Sequence, residues 1–302
     1  MLIGGVASAL RSNSSRRCSA SVEEGVGSAM PDIPLCDPIG FCIYCGSDGG
    51  GEPLGDEHVV PFSLGGYHYL PRASCRKHGQ ITSAFEGAVA RHMFGDLCVG
   101  HQIQTRNPEK RPTTRKLRAN YKDGSHKTVE FSISNTFGAI PGIRLLREAG
   151  MLRSPPVTVE ESEEFQITMR HLDPTSKIEW QQYNAESFTR RWRVPLHEYL
   201  RLMAKIAHCL GTAVLGPDGF EPWLIPYIMG DNTSIWTVVG KCDKSEEPDH
   251  RVMHNLDWLV RPFEGFGNIF TADLRLFSQY GGPWVTVAVG KAGEDFFTQG
   301  QA

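Results

Sequence analysis

The chain has 302 residues, 40% apolar and 22% charged, with a mean hydropathy of -0.29, the composition of a soluble globular protein large enough for two modest domains. No apolar run approaches the roughly 18 residues of a membrane-spanning helix, and 32 Gly and 19 Pro without a period exclude collagen-like and repeat architectures. The net charge of -3 is unevenly spread: Arg72 to Arg118 holds ten Lys and Arg against three acids, a local +7 that leaves -10 elsewhere, the footprint of a polyanion-binding face.

Residues 1 to about 35 are rich in Ser, Gly and Arg and show no sustained amphipathic period, so a disordered leader is expected. The first 22 residues carry no acid, as organelle transit peptides do, but a flexible leader, or translation from Met30, accounts for them. Residues 36–104 form a compact module bearing cysteines and histidines. Ser83 and Glu86 make a capping-box pattern ahead of an apolar stripe, Phe85, Val89 and Met93, which predicts a helix ending at Gly95. Residues 105–125 are read as a basic linker arm: two prolines and six basic residues fall between 105 and 118, and Arg106, Lys110, Arg111, Arg115 and Lys116 are placed to meet phosphates. Residues 126–302 then alternate. Val129, Phe131 and Ile133 share a strand face, as do Phe165, Ile167 and Met169, and Val285, Val287 and Val289. Pro195 opens a helix with Leu196, Leu200, Met203, Ile206 and Leu210 near helical spacing, and Ala272–Phe277 and Trp284–Val289 predict a closing hairpin. The second part is thus a mixed α+β domain whose sequence carries no legible chemistry.

Eight cysteines are too few for a disulfide scaffold of this length, so a reducing, cytoplasmic setting is expected, and closely spaced cysteines read as metal ligands. Cys42 and Cys45, then Cys75 and His78, are two pairs, each with a two-residue spacer, 29 residues apart. Such a spacer turns both donors toward one tetrahedral ion, which predicts a structural zinc on Cys42, Cys45, Cys75 and His78, with Cys36 in reserve. Between the pairs lies Leu54-Gly55-Asp56-Glu57-His58-Val59-Val60-Pro61, followed by Gly65 and Gly66. This order of parts, over about residues 41 to 95, resembles the HNH endonucleases of the ββα-metal class.

That resemblance implies an α+β chain in which a zinc-stapled hairpin and helix precede the second domain. It also implies His58 as general base and Glu57 as ligand of a catalytic Mg²⁺ or Mn²⁺, with Asp56 the adjacent alternative. The chemistry agrees. Phosphodiester hydrolysis needs a base for the attacking water and a counter-charge for the pentacovalent phosphate, and a histidine with a pKa near 6.5 is largely neutral at physiological pH. Consecutive strand residues face opposite ways, so a bulge is required if Glu57 and His58 are to meet one phosphate. The motif departs from the family at two places, where Tyr69 and Gly79 stand for the usual Asn and His or Asn; Gln80 and His78 are the nearest substitutes.

Three readings follow. The first is a metal-dependent endonuclease on DNA, or on RNA, with no membrane partner. The second is a catalytically degenerate zinc-knuckle module that binds nucleic acid. The third is a structural staple beside a protein-partnering C-terminal domain. Glu86 is expected as a helix cap, Arg190 and Arg191 as a solvated face, and the six tryptophans as core or interface residues.

Overall fold

The chain enters its fold earlier than composition suggests. The computed structural model describes residues 23–25, 32–105, 109, 111–133, 139–158, 165–171, 181–263 and 265–293. Strand β1 (Glu23–Gly25) pairs with a C-terminal strand, and β2 (Ile33–Pro34) runs parallel to the segment His68–Ser74. Leu35 is buried in the core, so Ile33 to Leu35 belong to the fold and not to a leader. The remainder of the expected leader, 1–22 and 26–31, lies outside the described residues.

Two antiparallel strands, β3 (Gly55–His58) and β4 (His68–Ser74), are followed directly by helix α1 (Arg76–His92). The turn between the strands explains the double glycine. Gly65 sits at φ +94°, and a Cβ on Gly66 would lie 2.0 Å from the Val60 carbonyl oxygen. A bulge is present, carried by β4, but it lies before Glu57: Gly55 stands opposite Ser74, whereas Glu57 and His58 keep the regular register opposite Leu70 and Tyr69, so it does not turn those two side chains to one face. Arg72, within the bulge, takes φ +50° and donates its backbone N–H to Asp56 Oδ1 at 3.0 Å.

Helix α1 begins at Arg76 behind the cap residue Cys75, eight residues before the expected cap at Ser83. His78, Thr82, Phe85 and Val89 are buried at spacings of four, three and four, so the apolar stripe extends back to the second cysteine pair. Ser83 is therefore an exposed mid-helix residue, and no capping box forms. Gly95 opens a second short helix, α2 (Gly95–Gly100).

The basic arm is not an extended linker throughout. Thr114–Asn120 is strand β5, which pairs with β6 (His126–Ser132), and its alternation buries Leu117 and Ala119 against Val129 and Phe131. Strands β7 (Ala139–Leu145) and β8 (Phe165–His171) form a two-stranded sheet, and β9 (Ser187–Thr189) joins β5. On β8 the expected alternation exists, but Phe165, Ile167 and Met169 are exposed.

Helix α3 (Leu196–Leu215) is the centre of the molecule; Leu200, Leu202, Met203, Ile206 and Leu210 are buried, each contributing about 1.5–3 kcal/mol by burial. Beyond it come β10 (Phe220–Pro222), α4 (Ile225–Met229), β11 (Val239–Lys241), β12 (Val252–Phe263), β13 (Gly267–Arg275) and β14 (Val285–Ala292). These strands and β1 make a six-stranded sheet in the order β1-β12-β13-β14-β10, with β11 also on β14, and β13 and β14 are the expected hairpin. One apolar cluster runs from Leu35 through α1 and α3 to Val289, so the cysteine- and histidine-bearing module and the C-terminal sheet share a core with α3 between them. The result is a mixed α+β fold, and among the described residues no helix is long and apolar enough to cross a membrane.

Candidate functional site

The first site is built by two turns. After Cys42 the chain reverses, with Cys45 and Gly46 N–H groups donating to the Cys42 carbonyl at 3.3 and 2.8 Å, and this brings both thiols of the pair to one side. Cys75 caps α1 and His78 lies in its first turn, its Nδ1 3.1 Å from Cys75 Sγ and 3.5 Å from Cys42 Sγ. The four donor atoms lie within 4.8 Å of one another, a Cys3His group that can hold a metal ion such as zinc. Burial pushes the Cys42 thiol up to about 11, so its thiolate needs a nearby cation. At Cys75 burial also raises the pKa, but backbone N–H groups of His78 and Lys77 and the neighbouring thiols outweigh it and lower the net value. Burial keeps His78 below the usual imidazole range, favouring the neutral ligand form. Helix α3 backs this knuckle: His208 Nε2 donates to the Ile43 carbonyl at 3.1 Å, and its ring stacks on Tyr44.

The second site is a cleft of about 1010 Å³ between the hairpin and α1, lined by Asp56, Glu57, His58, Gly79, Gln80, Glu86 and Lys205 among others. His58 ends β3 with its ring against Phe62 and Tyr69, and its Nε2 lies 3.6 Å from Asp32 Oδ1, a carboxylate that can orient the imidazole. Glu57 is 5% exposed. Its Oε1 is 2.8 Å from the ammonium of Lys205, which reaches in from α3 and also lies 2.9 Å from Glu86 Oε1. The same ammonium hydrogen-bonds to the main-chain carbonyls of His58 and, at 3.4 Å, Val59, and Lys205 is completely buried. Burial alone would depress this lysine, but the Glu57 and Glu86 carboxylates outweigh it and hold it charged. Burial raises Glu86, with Lys205 opposing and Glu57 adding to the rise.

Glu86 is thus an ion-pair partner inside the cleft and not a helix cap. Asp56 is exposed and spends Oδ1 on the bulge. Glu57 and His58 do meet one cleft, yet among the described residues the Cys3His cluster is the one group of three or more His, Cys, Asp or Glu donors close enough for a metal. Glu57 does not fit as a ligand of a hard divalent ion, because its Oε1 is already paired with the buried ammonium of Lys205, which would repel a second cation there.

The basic residues divide. Arg106 and Lys110 lie outside the described residues. Arg111 donates to the Ile103 carbonyl; Arg115 Nε bonds the buried Asp96 at 2.7 Å, a carboxylate shared with Arg190; and Lys116 is exposed on β5. Arg190, expected on a solvated face, is committed to Asp96 and stacks over Trp192. Arg76 and Arg91, on α1, line the cleft instead. Lys205 was the residue least visible in sequence, where it reads as one charge interspersed along an amphipathic helix. Its signal is that Leu202 to Ala207 is otherwise wholly apolar. No protein-family model, curated protein or solved structure matches this chain.

Proposed function

We propose that the cleft hydrolyses phosphodiester bonds in nucleic acid, with His58 as general base. The observation that carries the reading is the placement of His58 and Glu57 together on a large open cleft whose wall is the zinc-knuckle helix. His58 takes a proton from water, the water oxygen bonds to phosphorus, and the bond from phosphorus to the leaving oxygen breaks, that oxygen then gaining a proton from solvent. Asp32, close to Nε2, favours the protonated imidazole that results. Arg76 and Arg91 on the cleft wall supply positive charge to the phosphate. The zinc staple holds the wall in place and stands outside the reaction. Mg²⁺ or Mn²⁺ is expected from the HNH resemblance, but the donors around Glu57 do not fit such an ion, so no step is routed through one.

The test is cleavage of single-stranded DNA, duplex DNA and RNA by zinc-loaded protein, with and without added Mg²⁺ or Mn²⁺. A positioned base contributes about 10² to 10⁴ in rate, so His58→Ala should lose that factor at unchanged zinc content. A wild-type chain that binds nucleic acid but cleaves none of it replaces hydrolysis with the binding-module reading, which Tyr69 and Gly79 at two signature positions favour.

A further inference from the structure

We propose that Lys205 is the resident cation of the cleft and excludes divalent ions from the Glu57 and Glu86 carboxylates. Its ammonium stands between those carboxylates at 2.8 and 2.9 Å and is tied to two main-chain carbonyls of the β3 end. It has no exposed surface, so these contacts, and not water, surround the ammonium. A divalent ion bound to the same two oxygens would lie within a few ångströms of a fixed positive charge, where low-dielectric surroundings make the repulsion large. The two acids come from β3 and α1 and the cation from α3, so the charge balance of the cleft is completed by the C-terminal part of the chain.

The proposal deepens the hydrolytic reading and rests on it only for activity. Its deciding experiment is a Mn²⁺ titration of the zinc-loaded full chain followed by electron paramagnetic resonance, in wild type, Glu57→Gln, Lys205→Met, and Lys205→Met with Glu57→Gln. Wild type should show no Mn²⁺ site that Glu57→Gln removes. Lys205→Met should gain one at least tenfold tighter than any wild-type binding, and the added Glu57→Gln should abolish it. Wild-type Mn²⁺ binding that disappears in Glu57→Gln overturns the proposal, and that comparison stands even if Lys205→Met fails to fold. A folded Lys205→Met protein that gains no site overturns it as well. In the activity arm, cleavage in metal-depleted buffer at full zinc content supports the proposal. Cleavage that requires Mg²⁺ or Mn²⁺ and is lost in Glu57→Gln overturns it while upholding hydrolysis. Absence of any cleavage removes the hydrolytic reading, and the Mn²⁺ titration still decides the cation.

Discussion

The knuckle and the cleft lie on the same hairpin and helix, yet their charge balances are opposite. At the knuckle three thiols and an imidazole converge within 4.8 Å with no cation of the chain among them, so the cluster calls for a metal from outside. In the cleft two carboxylates already face an ammonium that the chain provides. The lesson is that a group of potential ligands should be judged with its counter-charges. Three thiols and an imidazole without a lysine or arginine among them argue for a metal more strongly than two carboxylates that share a buried lysine.

The largest effect should come from the knuckle. In small zinc modules that fold alone a structural zinc contributes on the order of 10 kcal/mol, and here the knuckle's loops depend on it most, since the rest of the module also packs on the shared core. Cys45→Ser, or removal of zinc by a strong chelator, should abolish cooperative unfolding of the hairpin and α1 as followed by circular dichroism, with zinc content measured in parallel. Unchanged folding without zinc would break the comparison at its stronger end.

The cleft should respond less, because its cation is covalently part of the chain. Lys205→Met leaves two acids without their partner and should cost about 3–5 kcal/mol in denaturant unfolding at neutral pH. Adding Glu57→Gln and Glu86→Gln removes the unpaired charges and should recover most of that loss. If the single variant and the triple variant are equally destabilised, the ion pairs are not what fixes α3 to the hairpin.

A third effect lies further from both sites. His254 is completely buried; Nε2 donates to the Leu64 carbonyl at 3.0 Å and Nδ1 accepts from the Phe277 N–H at 3.1 Å, tying β12 to the turn after β3. Burial lowers its pKa to about 4, against about 6.5 in an unfolded chain. Between these values the unfolded state binds the proton and the native state does not, so stability falls as pH drops from 6.5 toward 4 and this contribution is intact above 6.5. The loss should reach about 2–3 kcal/mol at pH 4.5, read as the difference in urea midpoint slope between wild type and His254→Gln, since knuckle protonation is common to both. Parallel pH profiles for the two proteins would show that the imidazole titrates normally.

Local spacing made the knuckle legible in sequence, and the strand alternation of β6 and β14 and the apolar period of α3 were legible for the same reason. What failed was information carried by distant residues. Lys205 is far along the chain from Glu57 and Glu86, and nothing near either acid announces it. Glu86 looked like a cap because Ser83 stands three residues before it, but the buried face through His78 and Thr82 carried the helix past that signal to the metal-binding pair. On β8 the alternation gave a strand without saying which face meets the core.

The basic segment offers the smallest and most discriminating effect. Composition made Arg115 and Lys116 equivalent phosphate contacts, whereas β5 turns them to opposite sides: Arg115 to the buried carboxylate of Asp96, Lys116 to solvent. Arg115→Ala should therefore cost stability, about 1–3 kcal/mol, because Asp96 keeps only Arg190. Lys116→Ala should leave unfolding unchanged within about 0.5 kcal/mol. If the exposed face of β5 tracks a nucleic-acid backbone, Lys116→Ala should also reduce the slope of log affinity against log salt on duplex DNA by about 0.9, one phosphate's share of counterion release. Affinities between low and physiological salt separate the roles. A slope lowered by Arg115→Ala and not by Lys116→Ala would mean that Asp96 releases its arginine to the ligand, and the internal assignment of Arg115 would fall.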